Sequence, residues 1–134
     1  MKYFTEKELG IENANAIVKK NMNTLVNKVL DPLREKVGAI RVNSGYRTPA
    51  HNKQIGGATN SQHCKGEAAD IFPLEKDIGD VFTMIIREFK YDQVILERKN
   101  SRWIHISYSD GKNRQNAMTA IVDKVTGKAS YKNV

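Results

Sequence analysis

The sequence predicts an α+β fold with helices packed on one face of a mainly antiparallel sheet. Three observations point there. Helical periodicity is concentrated in the first 37 residues. Period-two alternation of apolar and polar residues takes over from Ile40. A single amphipathic stretch, residues 78–89, interrupts the strands.

The elements follow in order. Residues 13–30 carry Ala14, Ile17, Val18, Leu25, Val26 and Val29 at near-helical spacing. Asp31-Pro32 is expected to break this helix, and Pro32 to open a short second one through Val37. Gly38 is expected to end it. Residues 40–44 read as a half-buried strand. Residues 45–60 read as a long loop with one helical turn from Pro49 to Ile55, and Gly56-Gly57 and Asn60-Ser61 supply turn chemistry. Residues 68–72 form the next strand. Ile78, Val81, Phe82, Ile85, Ile86 and Phe89 mark one side of a helix. Residues 93–97 and 102–108 read as two strands joined by a polar turn. Residues 118–131 read as a final hairpin around Thr126-Gly127.

At 134 residues the chain matches one domain spanning residues 1–134, large enough to fold without disulfides. Its one cysteine, Cys64, cannot form an internal disulfide. The start, Met1-Lys2-Tyr3-Phe4, has no apolar core of a signal peptide, and no apolar run nears the ~18 residues of a membrane helix. Synthesis in the cytoplasm is therefore expected, with action elsewhere only after release. Lysine and arginine total 22 against 15 acidic residues, a net charge of +7. That charge suits an anionic partner such as an acidic cell-wall polymer, and equally suits solubility alone. The basic residues are scattered, so nucleic acid is not expected.

The chemistry centres on His63, Asp70 and His105. Two imidazoles and one carboxylate suit zinc, and three protein ligands leave a fourth position open, the arrangement of a catalytic site. Side chains alternate along a strand. Ile104 and Ile106 therefore face the core, while Trp103, His105 and Ser107 face the other way. Val94 and Leu96 share the core face, and Gln93, Ile95 and Glu97 face outward. If the turn pairs Glu97 with Trp103, Ile95 lies opposite His105. Glu97 then lies diagonally from His105 at roughly 7–8 Å, within reach of a metal-bound water without ligating the metal. A one-residue slip would undo this. Gly66 frees the backbone to turn His63 inward, and Ala68 and Ala69 leave room beside Asp70.

Each residue also has a plainer reading. A single histidine in a chain of this size is most often a surface or packed residue, and a single aspartate a cap or ion-pair partner. His51 reads as a loop residue, Cys64 as incidental, and Glu67 and Glu75 as solvated charges. Trp103 suits either the core or a cleft wall.

The run Ser61-x-His63-x-x-Gly66-x-Ala68-x-Asp70, with the later Trp103-x-His105, resembles the M15 zinc peptidases. These are D-alanyl-D-alanine carboxypeptidases and peptidoglycan endopeptidases. Ser44-Gly45-Tyr46-Arg47-Thr48-Pro49, Asp31-Pro32-Leu33-Arg34 and Tyr91-Asp92-Gln93-Val94-Ile95 add to the likeness, which runs from about Phe4 to Tyr108. It is strongest to the short single-domain branch of bacteria and phages, where such proteins often serve as endolysins. The resemblance implies zinc held by His63, Asp70 and His105, and Arg47 on a substrate carboxylate or carbonyl oxygen. It also implies Ser61 near the substrate, and the fold shared with the hedgehog signalling domain. The best-described branches place the catalytic carboxylate three residues before the last histidine, where this chain has Arg102. The short branch carries an acidic residue at the end of the preceding strand, and Glu97 matches it. The expected function is hydrolysis of a peptide bond in peptidoglycan stems or cross-links through a zinc-activated water with Glu97 as general base. The alternative is a zinc-stabilised binding module without catalysis. A metal-dependent nuclease rests on charge alone.

Overall fold

The computed structural model describes residues Met1–Val134. Helical backbone runs without a break from Ala16 to Val37. It comprises α1 (Ala16–Leu25), a π-helical turn (Val26–Leu30) and α2 (Asp31–Val37). Asn15 starts α1 by accepting a hydrogen bond from the Val18 N–H at 2.9 Å. The expected break at Asp31-Pro32 does not occur. Proline lacks an N–H, and its ring would crowd the carbonyl four residues back in a regular helix. The preceding turn widens instead, and the Asp31 N–H bonds the Val26 carbonyl five residues back. The Asp31 carboxylate is in turn bonded by the backbone N–H groups of Lys2 and Tyr3 at 2.8 and 3.2 Å. Val18, Met22, Leu25, Val26, Val29 and Leu30 form the buried face. Ile17, expected on it, is 72% exposed. Gly38 ends α2 with a φ of 82°.

Six strands form one sheet in the order β1-β2-β4-β3-β5-β6. They are β1 (Ile40–Ser44), β2 (Ala68–Pro73), β3 (Gln93–Arg98), β4 (Arg102–Ser107), β5 (Asn116–Val122) and β6 (Ala129–Asn133). All neighbours are antiparallel except β3 and β5, which run parallel. No helical crossover is needed there, because β4 returns the chain to the starting end of β3. The connecting loop is held by Gln115, whose side chain accepts from the Tyr91 N–H and donates to the Phe89 carbonyl. The tail hairpin turns as expected at Thr126-Gly127, where the Gly127 N–H reaches the Asp123 carbonyl at 2.9 Å. It begins at Asn116 rather than Met118.

Register divides the sheet into two faces. Ala69 and Ile71 pair with Ile106 and Ile104, which pair with Val94 and Leu96. This apolar face packs on α1, α2 and α4 (Ile78–Glu88) in one core. Helix α4 contributes Ile78, Val81, Phe82 and Ile85 at the i, i+3, i+4, i+7 spacing. The opposite face carries Asp70, His105, Ile95, Trp103 and Glu97. It is bordered by the 45–67 segment, which contains α3 (Pro49–Gln54) and a 3₁₀ turn (Gln62–Lys65). No helix is long and apolar enough to cross a membrane.

Candidate metal centre

Asp70 and His105 are directly paired residues on adjacent strands, so both side chains leave the sheet at the same point. The register of β1 shifts between Val42 and Ser44, leaving Ser44 opposite Asp70. A bulge of this kind re-aims side chains beside a site. His63 arrives from the 3₁₀ turn. The Ser61 hydroxyl oxygen accepts from the His63 N–H at 3.2 Å to start that turn, and Gly66 ends it at a φ of 75°. A side chain at Gly66 would meet the Val18 carbonyl oxygen at 2.6 Å, so glycine also lets the turn lie flush on α1.

The three side chains meet. His63 Nε2 and His105 Nδ1 each stand 3.4 Å from Asp70 Oδ1, and the two rings lie edge to face with centroids 5.2 Å apart. One ligand atom from each lies within 4.8 Å of the others. The tautomer of His63 follows from its other nitrogen. Nδ1 is 2.7 Å from the Gly45 carbonyl oxygen, which can only accept, so Nδ1 carries the proton. Nε2 is then a lone pair facing a carboxylate oxygen. Both His63 Nε2 and Asp70 Oδ1 are buried without a hydrogen-bond partner. Buried acceptors turned towards each other are costly unless a cation joins them. The nitrogen, nitrogen and oxygen donor set suits zinc, and the His63-Asp70-His105 group is able to hold a metal ion.

Arg47 stands beside this group. Its Nη2 is 3.7 Å from Asp70 Oδ2, its Nη1 donates to Asn52 Oδ1 at 3.3 Å, and its Nε is buried and unpaired. Asn52 is 3% exposed and donates to the Ala58 carbonyl at 2.7 Å, which fixes the loop that holds the guanidinium. The backbone N–H of Arg47 bonds the His63 carbonyl at 3.1 Å, tying it to the 3₁₀ turn.

The expected register holds, with Glu97 opposite Trp103 and Ile95 opposite His105. Glu97 is half-buried in the same cleft. Burial, and then the negative charge of Asp70, raise its carboxyl above the ordinary range. Arg102 pairs with Arg98 on the opposite face and is exposed, away from the site. The cleft measures about 490 Å³ and takes in Arg47, Ser61, His63, Asp70, Glu97 and His105. Trp103 lines its wall rather than the core. His51 is exposed on α3 and outside the group. Glu67 is not a free solvated charge, because it accepts from the Ser109 hydroxyl at 3.0 Å.

Several parts of the site carried no signal in the sequence. The Gly45 carbonyl is main chain, which any residue supplies. Gln62 donates to Asp92 at 2.7 Å, and Asp92 also takes a two-pronged bond from Arg114 at 2.8 and 2.9 Å. That contact joins the segment before His63 to the loop after β4. Val122, Ala129 and Tyr131 of the tail hairpin also line the cleft. The parallel pairing of β5 with β3 brings them there.

A search of curated proteins finds no match to the chain. A protein-family model described as Peptidase M15 matches residues 2–107, which contain every residue of the His-Asp-His group, together with Arg47 and Glu97. With most of its length matched, the chain belongs to the M15 peptidase family.

Proposed function

We propose that this chain is a single-domain zinc peptidase that hydrolyses a peptide bond in peptidoglycan stem peptides or cross-links. One observation carries the reading: His63 Nε2 and Asp70 Oδ1 are buried, unpaired acceptors facing each other beside His105 Nδ1, in a cleft that also holds a half-buried glutamate. His63, Asp70 and His105 would hold the zinc. Bound there, zinc supplies a Lewis acid for the scissile carbonyl and acidifies its water towards neutral pH.

The chain's own groups supply the rest. The Glu97 carboxylate accepts a proton from the attacking water and delivers it to the nitrogen of the leaving amine, so the base ends the cycle ionised again. Arg47 offers its fork of N–H donors to a substrate carboxylate or to the oxygen that gains charge as the carbonyl is attacked. Ser61 caps the 3₁₀ turn and faces the cleft, where it can also meet substrate. A surplus of seven positive charges suits walls with free carboxylates and anionic polymers. Action on the wall would follow release from the cell, as by a phage.

Replacing His63 or His105 with alanine tests the reading. Loss of bound zinc together with loss of wall hydrolysis is the expected result, and full activity in either variant would end it. The placement of a raised-pKa glutamate beside the group favours catalysis over a zinc-stabilised binding module. For such a module, chelation would lower the melting temperature while no wall hydrolysis occurred before or after.

A further inference from the structure

We propose that the β5–β6 hairpin forms the far wall of the peptide cleft, and that the Tyr131 hydroxyl donates a hydrogen bond to a backbone carbonyl of the bound peptide beside Glu97. This rests on the peptidase reading above and extends it to residues outside the 2–107 family match. Register places the residues. Trp103, Glu97, Ala120 and Tyr131 are successive partners across β4, β3, β5 and β6. All four therefore leave the sheet on the face that carries Asp70 and His105. Two strand spacings separate the Tyr131 and Glu97 backbones, about 10 Å. The residue between them is alanine, which leaves the space above the sheet open for the tyrosine ring. Ala120 is 3% exposed although only a methyl group covers its own position.

Only Ala117 of this hairpin packs against the hydrophobic core, as a partly buried residue. Ala120 is the one buried residue of β5, and every residue of β6 is exposed. Tyr131 itself is 58% exposed on the cleft rim, which leaves its ring and hydroxyl accessible to a ligand. Partial burial and the nearby Glu97 charge raise the phenol above its ordinary range, so it stays a donor at neutral pH.

The chain has one tryptophan, Trp103, in the same row and lining the cleft, so its fluorescence reports occupancy. The experiment titrates Glu97→Gln with a soluble muropeptide ending in D-alanyl-D-alanine, alone and with Tyr131→Phe or Tyr131→Ala. Wild-type and the single Tyr131 variants are assayed in parallel for KM and kcat on the same compound. Loss of one neutral hydrogen bond should weaken binding and raise KM about 3- to 10-fold in Tyr131→Phe. Tyr131→Ala should lose at least as much, with kcat within about twofold and zinc content unchanged. Should Tyr131→Ala unfold, Tyr131→Phe alone decides. Values within about twofold of the parent in both measurements overturn the inference while leaving the peptidase reading intact. Binding that depends on Tyr131, with no hydrolysis of this compound or of purified cross-linked cell wall by the wild type, would keep the wall and reject the peptidase reading. No binding of the muropeptide and no hydrolysis of it or of purified cell wall would reject both.

Discussion

His63 shows how much one hydrogen bond decides. Because the Gly45 carbonyl accepts from the Nδ1 N–H, Nε2 is left as a buried lone pair free to ligate a metal ion. Losing an outer hydrogen-bond partner of a metal ligand costs about 10- to 100-fold in affinity. Losing the ligand itself in His63→Ala should weaken zinc binding beyond that, as read by competition with a chelator. Glu97→Gln should keep zinc and lose about 10²- to 10⁴-fold in kcat, the usual contribution of a general base. Unchanged turnover with zinc retained would remove Glu97 from that role. As the proposed base, Glu97 would work ionised, so activity should fall as pH drops through its pKa. Burial and Asp70 raise that pKa in the metal-free chain, and a zinc ion bound beside it would draw it back down, so removing zinc should move the titration of Glu97 to higher pH. The profile is to be taken where zinc content is constant. Arg47→Lys replaces a fork by a point charge and should cost about 10²-fold in kcat/KM without loss of zinc.

Among the elements, the 3₁₀ turn carrying His63 depends most on one residue. Gly66 combines a φ of 75° with a close approach to the Val18 carbonyl. Gly66→Ala would meet both penalties, about 1–3 kcal/mol together. The expected outcome is a lower melting temperature and weaker zinc binding, since the turn would have to lift from α1. A variant equal to wild type in both would show that the turn yields without strain. The elements were also where the sequence was most legible. Alternation in residues 93–97 and 102–107 placed Glu97, Trp103 and His105 on one face, because a strand's period of two leaves only two choices. The helix boundary at Pro32 was not legible. Proline signals a break, and the π-helical turn that absorbs it depends on how residues 26–31 pack. Ile17 misled for a related reason, since helical spacing does not say which of two adjacent apolar residues faces the core.

At the scale of the whole molecule, the sheet separates stability from chemistry. One face meets the helices, and the other presents the His-Asp-His group and its cleft. What the sequence did not disclose was long-range. The parallel β3–β5 pairing, the Asp92–Arg114 contact and the arrival of Tyr131 all join residues distant in the chain, with no local pattern to announce them. Asp92 ties two of these segments, and the Arg114 guanidinium holds its carboxyl down to about 2 against an ordinary 3.8. Its stabilisation is therefore present above about pH 4 and is lost as pH falls from there through 2. Arg114 is 58% exposed, so water screens the pair and the contribution is at most about 2 kcal/mol. Asp92→Asn should lower stability at neutral pH and flatten its fall between pH 4 and 2, as followed by urea unfolding. An unchanged acid slope would assign the fall to other carboxylates.

His63, Asp70 and His105 are proposed to share one zinc ion in a hydrolytic site. The most direct test is zinc content by mass spectrometry on wild type, His63→Ala and His105→Ala, with muropeptide analysis of purified cell wall after digestion by each. One zinc per wild-type chain and new peptide ends in its digest, both absent from the two variants, is the predicted result. Undiminished zinc content or unaltered wall cleavage in either variant would contradict it.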